Sequence, residues 1–468
     1  MRVSSSRVLN LLLCASLFLG LSLARAPVPS RGEQPAADPQ PEIAPGQVIV
    51  VWEPSAHSAP ELAAARIPTA RVLATIQSLR MSVMQVSVGS ERQLAERWRS
   101  LPGVRHAEPN YRVRALDIPN DPYWPDQWAL TRIGVSLAWD VTHTEGVVVA
   151  LLDSGAKIDH PDLQDSLWAN PGEIPDNGLD DDGNSRVDDI HGWHFFQQWN
   201  GSTYQPYENC LIDDQNGHGT HVTGIVAATT NNGIGIAGVS RGARAMVVKV
   251  LDERGEGWYS DVAAGMVYAV NNGARIINLS LGGSEPSQIL QDAIDYAHQS
   301  GALIIASTGN DGGAVLYPAA GNHVMAVAST NLVDSRSSFS NFGPAVDIAA
   351  PGESIVSTWP WLDGYYRKQG TSMASPHVAG AAALLWTWRP DYSSGQIEQR
   401  LKETADDVNA ASHPGPDPYL GWGRLNIQRA LADLPPGPTA TPSPTPSPTP
   451  IPWEYRIYLP LVPWAPQH

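Results

Sequence analysis

From residue 147 to about residue 434 the chain repeats one pattern, in which short runs of Val, Ile, Ala and Leu alternate with amphipathic stretches. The runs fall at 147–152, 245–250, 275–279, 303–306 and 324–328. Because they are apolar at successive positions rather than at every second one, they suit strands buried on both faces. Between them, 261–271 and 287–300 carry helical spacing. Strand and helix in alternation predict a mostly parallel sheet with helices on both sides, a three-layer α/β fold. Folds of that kind collect their chemistry at the carboxyl ends of the strands.

Three segments place a reactive side chain where such geometry favours its use. The first run ends on Asp153-Ser154-Gly155, a carboxylate at a strand end. Asn216-Gly217-His218-Gly219-Thr220-His221 opens a helical stretch, which puts His218 at a helix entrance between two glycines. Gly370-Thr371-Ser372 opens an Ala-rich helix, so the Ser372 hydroxyl meets the positive end of a helix dipole. Pro376 is expected in the first turn of that helix, where no internal N–H partner is needed. Each segment alone has another reading. Asp-Ser-Gly also marks aspartic peptidases, but their chemistry needs paired carboxylates and only a dimer would supply the second. His218 and His221 have a zinc-like spacing without the Glu of the H-E-x-x-H pattern. Ser372 alone would be an ordinary helix cap.

Together the segments are far more specific. VALLDSGAKIDHPDL, NGHGTHVTGIVAA, INLSLGG, ASTGN and GTSMASPHVAG occur in that order, and from about residue 119 to 434 the chain resembles the subtilisin family of serine peptidases, thermitase-like branch. The resemblance implies a subtilisin-like three-layer αβα fold, a triad of Asp153, His218 and Ser372, and an oxyanion donor at Asn310. A serine hydroxyl is a weak nucleophile, so His218 would take its proton and return it to the leaving amine. Asp153 would hold the imidazole in the useful tautomer. The resemblance makes Gly255-Glu256-Gly257 and Ser280-Leu281-Gly282 two edges between which a peptide substrate lies as an added strand, with broad specificity. The rival reading is a non-catalytic adhesion or binding protein on the same scaffold.

The flanking segments suggest a precursor. Arg2 and Arg7 precede an apolar run at 8–23 and small residues at Ala24 and Ala26, the pattern of a signal peptide over 1–26. The run is short for a membrane span, so none is expected once the peptide is removed. A linker at 27–42 leads into 43–116, where strands near 47–52 and 81–88, helices near 63–79 and 91–101 and a further segment at 104–113 suggest a small α+β unit. It resembles the family's ferredoxin-like propeptide, which implies that the chain carries its own intramolecular inhibitor, cut near Leu116. The catalytic domain then spans 117–434. Nine prolines among the 18 residues of 435–452 make a semi-rigid spacer, followed by a 16-residue tail at 453–468. Surface attachment or export and a disordered terminus are equally open for that tail. The expected product is a secreted monomer.

Charge and cysteine content narrow the partners. The net charge is -17, with 13 Lys+Arg and 8 Asp+Glu in residues 1–116 but 17 and 39 in the remainder. Such a field disfavours nucleic acid and anionic lipid. Two cysteines, Cys14 and Cys210, exclude a disulfide scaffold. Part of the acidity suits Ca2+, which takes six to eight oxygen ligands. The resemblance implies one site at Asp121, Asp162, the Asn232 side chain and the carbonyls of Thr229, Ile234 and Ile236. A second candidate is the loop 176–189, with Asp180, Asp182 and Asn184 at alternate positions and Asp188 or Asp189 to close it. The family's carboxylate after a Gly-Trp pair is replaced by His194, and the acids that should follow are replaced by Phe196-Gln197-Gln198-Trp199. Asp213 and Asp214 lie near the histidine segment without defining a site.

Overall fold

The computed structural model describes residues 43–54, 70–111, 118–139, 146–361 and 364–432. The expected signal peptide, both linkers and the tail lie outside them. Contacts divide the chain into two compact units between Leu116 and Asp117.

The smaller unit contains β1 (Ile43–Trp52), β2 (Arg71–Ile76), β3 (Met81–Gln85), α1 (Glu91–Arg99) and β4 (Val104–Tyr111). Its strands pair antiparallel in the order β2-β3-β1-β4, the order of a ferredoxin-like sheet. Alternate residues Val48, Val50 and Trp52 of β1 pack with Met84, Ala95, Trp98 and Ala107, which buries one face of the sheet against α1. One expectation fails here. Of the stretch read as helix at 63–79, residues 63–69 lie outside the described residues, and the rest from Arg71 is strand β2 followed by a single 3-10 turn at Gln77–Leu79. Val72 and Thr75 are β-branched, and pairing with β3 overrides a helical reading of the apolar spacing.

The larger unit begins with two short helices, α2 (Trp128–Arg132) and α3 (Val135–Trp139). Its sheet then takes β5 (Val148–Asp153), β6 (Gly192–Trp199), β7 (Tyr204–Asn209), β8 (Arg244–Lys249), β9 (Ile276–Leu279), β10 (Leu303–Ser307), β11 (Val324–Thr330) and β12 (Ile348–Pro351). The order is β12-β11-β10-β9-β5-β8-β6-β7, parallel throughout except for the β6–β7 hairpin at one edge. Helices α4 (His218–Ala227), α5 (Tyr259–Asn271) and α6 (Gln288–Gln299) follow in chain order. A separate ribbon, β13 (Ile355–Thr358) with β14 (Tyr365–Lys368), precedes α7 (Thr371–Trp388), α8 (Ser394–Glu403) and α9 (Ile427–Leu431).

The two faces of the sheet bury different halves of each strand. Val149 and Leu151 of β5, Val247 of β8 and Ile305 of β10 join α4 and α7 in one core. Ala150 and Leu152, Met246 and Val248, and Ile304 point the other way, into a second core with α5 and α6. This is the three-layer arrangement expected from runs apolar at every position. At the centre of the sheet β5 lies between β8 and β9, so Asp153 emerges at the carboxyl end of the most enclosed strand.

Candidate active site

Asp153 is 1% exposed. Its Oδ1 accepts from the Ser154 backbone N–H at 2.7 Å and pairs with His218 Nδ1 at 2.7 Å. With the proton of the imidazole held on Nδ1 by a carboxylate, Nε2 is left to accept from another group. His218 is the first residue of α4, and Gly217 before it has φ 91. A Cβ at Gly217 would lie 2.4 Å from the Trp359 ring, and one at Gly219 would lie 2.1 Å from the Gly155 carbonyl oxygen. Gly219 therefore lets the helix end press against the strand end that carries Asp153, while Gly217 leaves room for the Trp359 ring.

Asp214, which the sequence left without a role, is the centre of this junction. It is 3% exposed and its carboxylate accepts five hydrogen bonds. These come from Ser154 Oγ, the N–H groups of Asn216, Gly217 and Thr220, and the Thr220 hydroxyl, at 2.6–2.9 Å. The first-turn N–H groups of a helix have no internal acceptor, and one carboxylate here takes several donors around the start of α4. Ser154 Oγ in turn accepts from the Gly219 N–H at 2.9 Å. Beside Asp153 in the sheet register is Lys249, 3% exposed, whose ammonium donates to the Ser154 carbonyl. Burial pushes the Lys249 pKa down, against the opposing pull of the Asp214 and Asp153 carboxylates.

Ser372 is the second residue of α7, so its N–H has no intrahelical acceptor. Its hydroxyl donates to the Ser280 carbonyl at 3.2 Å, and the Ser280 hydroxyl donates back to the Ser372 carbonyl at 2.9 Å. Pro376 accounts for the second bond. The helix starts at Thr371, so Pro376 lies beyond the first turn, contrary to the sequence expectation. Lacking an N–H, Pro376 cannot donate to the carbonyl four residues earlier, which is that of Ser372. Ser280 occupies that acceptor instead. Asn310 sits alongside, its side-chain oxygen accepting from the Thr371 N–H at 2.8 Å and from the Thr371 hydroxyl at 3.1 Å. With its oxygen so engaged, its amide hydrogens are the groups available to an external acceptor.

The two expected substrate edges both present backbone. Gly255, Glu256 and Gly257 are exposed in a turn closed by Asp252, whose N–H donates to the Glu256 carbonyl at 2.9 Å. Ser280, Leu281 and Gly282 continue from the end of β9, and Gly283 pairs with Tyr317. The Tyr259 hydroxyl donates to the Glu285 carbonyl at 2.9 Å and so ties the first edge to the second.

This geometry agrees with what known proteins show. A family model described as the subtilase family, peptidase S8, matches residues 144–423, more than half of the chain. The chain belongs to the subtilase family. A second model, the fervidolysin N-terminal prodomain, matches residues 31–110. This subtilase is 39% identical to thermitase of Thermoactinomyces vulgaris, over 67% of the chain and 99% of thermitase. It is 34% identical to a thermophilic serine proteinase of a Bacillus species, over 82% of the chain and 87% of that protein. Among solved structures, a protease from Pseudoalteromonas arctica superposes with a TM-score of 0.57 at 32% identity, covering 68% of the chain and 99% of that protease. The protein is a serine peptidase of the subtilisin type with an N-terminal prodomain, and the relatives give no support to the non-catalytic alternative.

The residues expected to hold calcium in this subtilase also come together in part. Asp121 and Asp162 are 2% and 0% exposed. Asp162 accepts from Asn232 Nδ2 at 2.7 Å, the Ile236 N–H at 2.9 Å and the Tyr365 hydroxyl at 3.2 Å, while its own carbonyl accepts from Thr229. Asp121 Oδ2 accepts from the Asn231 N–H, but its buried Oδ1 has no hydrogen-bond donor among the described residues. Burial pushes both carboxyl pKa values up, that of Asp162 to about 6, with the Asp121 charge adding to the shift. An orphaned buried carboxylate oxygen beside a second buried carboxylate fits a cation.

In the acidic loop the structure redraws the ligand set. Among the described residues, ligand atoms of Glu173, Asp182 and Asp189 lie within 4.8 Å of one another. Asp180 instead folds back on the N–H groups of Gly183, Asn184 and Ser185, and Asp188 accepts from Gly178. Asn184 donates to both Asp182 and Asp189. Glu173 escaped the sequence reading because it precedes the Asp-rich run and gives no local spacing signal. The zinc alternative finds no support, since His221 Nε2 is engaged by the Ile355 and Tyr366 carbonyls.

Proposed function

We propose that Ser372 is the nucleophile of an endopeptidase, His218 its general base and acid, and Asp153 the group that orients His218. The 2.7 Å pairing of His218 Nδ1 with the buried Asp153 carboxylate carries this reading. His218 Nε2 takes the Ser372 proton as the hydroxyl attacks the peptide carbonyl, and then delivers it to the departing amine. The Asn310 amide and the Ser372 N–H receive the developing oxyanion, because neither donor has a competing acceptor among the described residues. Gly255–Gly257 and Ser280–Gly282 bind substrate by backbone pairing, which favours broad specificity. Water then releases the acyl group by the same proton path in reverse.

Maturation and setting belong to the same reading. The unit up to Leu116 acts as an intramolecular inhibitor and is removed by the enzyme's own cleavage. The amino-terminal pattern of residues 1–26 supports export, and a relative at 32% identity is described as an extracellular serine protease of Natrialba magadii. No helix of the described residues is long and apolar enough to cross a membrane. The released enzyme, residues 117–434 with its spacer and tail, works as a monomer. Ca2+ would be held by Asp121, Asp162, Asn232 and the adjoining carbonyls, and a second ion by Glu173, Asp182 and Asp189, in both cases joining loops rather than entering the reaction.

Labelling with a fluorophosphonate tests the assignment directly. Wild-type mature enzyme should take up one probe at Ser372, and Ser372→Ala and His218→Ala should take up none. Labelling at another residue, or undiminished labelling of Ser372→Ala, would sink the assignment. Sequencing the fragments of one denatured protein then reads out the residues preferred beside the cleaved bond.

A further inference from the structure

Asp153 and Asp214 bring two buried carboxylates to one end of the main sheet, and Lys249 stands with them. Lys249 makes no ion pair among the described residues, and its ammonium donates to the Ser154 carbonyl. The sheet register sets its neighbours. Asp153 of β5 lies beside Lys249 on one side and His194 of β6 on the other, and residues in register share a face. That face is the one that Leu151 and Val247 turn toward α4. Asp153 Oδ1 is taken up by the Ser154 N–H and His218, whereas Oδ2 is buried with no hydrogen-bond donor among the described residues. An ionised carboxylate so placed needs a compensating charge nearby. β9, on the other side of β5, carries no charged residue, so Lys249 supplies it. His194 leaves that charge undivided. Its ring is stacked on Phe196 with centroids 4.5 Å apart, and burial, with the Lys249 charge beside it, holds its pKa down to about 4. The imidazole is therefore neutral over the range in which a histidine base works.

We infer that Lys249, flanked by a neutral His194, is a positioning residue that sets the lower pH limit of catalysis. The inference rests on the peptidase reading given above. Lys249 touches neither substrate nor the reacting atoms and acts through Asp153 and His218. A positive charge beside Asp153 favours the carboxylate anion and opposes capture of a proton by the resting imidazole. Both effects extend activity toward acid. Other charges face the same junction and must stay constant in any test. Asp213, Asp214 and Asp252 act on Lys249, while Lys368 and His221 lie on the His218 side. Lys157 is engaged by Asp159 and Asp213. Single replacements at 194 and 249 leave all of these in place.

The test is the pH dependence of kcat/KM on a fluorogenic peptide without titratable side chains, for mature wild type, His194→Asp, His194→Asn and Lys249→Met. His194→Asp sets a carboxylate against the ammonium, and His194→Asn keeps the size of that group without its charge. The midpoint of the acid limb should lie about half a pH unit or more higher in His194→Asp than in His194→Asn. Lys249→Met should raise the midpoint at least as far, and activity regained at higher pH shows that the variant is folded. A merely structural role lowers the plateau and leaves the midpoint where it was. Midpoints of the Asp and Asn variants that agree within about 0.2 unit overturn the inference. So does an unmoved or lowered midpoint in folded Lys249→Met. If Lys249→Met does not fold, the two variants at 194 decide alone. A wild type that cleaves the peptide at no pH means that the peptidase reading has failed instead.

Discussion

Asn310 and Asp214 differ in how they act. Asn310 has its oxygen fixed by Thr371 and its hydrogens available, so in the proposed role its contribution would arise only when an oxyanion forms. Asn310→Ala should lower kcat by about 10²- to 10³-fold with KM nearly unchanged, measured by steady-state kinetics; a change mainly in KM would contradict the role. Asp214 touches no substrate and works through others. In Asp214→Asn the amide nitrogen replaces an acceptor where five donors converge, so at least one N–H or O–H loses its partner. The expected result is a Tm lowered by several degrees and a kcat lowered about tenfold or more as His218 drifts from Asp153. The residues proposed as catalytic were legible in the sequence because the family-like motifs contain them. Asp214 was not, since an acid near a helix start reads equally as a solvated cap.

Among the elements, the strands of the main sheet were the easiest to read, because burial on both faces leaves continuous apolar runs in the sequence. The β6–β7 hairpin was opaque for the opposite reason. His194, Phe196, Gln197 and Gln198 mix polar and aromatic residues without a period, as an edge hairpin with one side in water permits. The junction of β5 with α4 depends on close backbone approach, and Gly219 is its tightest point. Gly219→Ala would drive a methyl into the Gly155 carbonyl, and neither partner is a flexible side-chain end. Thermal or denaturant unfolding should show a loss of about 1–3 kcal/mol, with activity falling further than stability. An unaltered kcat in a folded Gly219→Ala protein would mean that the strand end and helix end need not touch so closely.

For the whole molecule, two predictions concern the precursor and the ions. Ser372→Ala should be purified as an uncleaved chain that still contains the prodomain unit, as seen by mass spectrometry; processing at the normal rate would assign the cut to another peptidase. Removing Ca2+ with a chelator should lower Tm, and the protection given by added Ca2+ should weaken as pH falls. The sign follows from Asp162. Burial raises its carboxyl pKa from 3.8 to about 6 in the ion-free fold. In that fold the carboxyl favours the folded state below pH 3.8, and this contribution is lost as pH rises through about 6. A cation reverses the preference by binding the ionised form, so protons compete with it and its effect on Tm should fade below about pH 6. Protection independent of pH between 5 and 8 would point to ligands other than Asp162.

The central position of β5 bears on how long such an enzyme survives its own kind. Amides of a strand hydrogen-bonded on both sides and buried on both faces exchange with solvent only when the whole domain opens. Asp153 is therefore carried by a segment that partial opening of the surface does not release. Neighbouring molecules can trim exposed loops without dislodging this carboxylate. Loss of activity during storage should then follow the rate of global unfolding, as a single exponential independent of nicking at the surface.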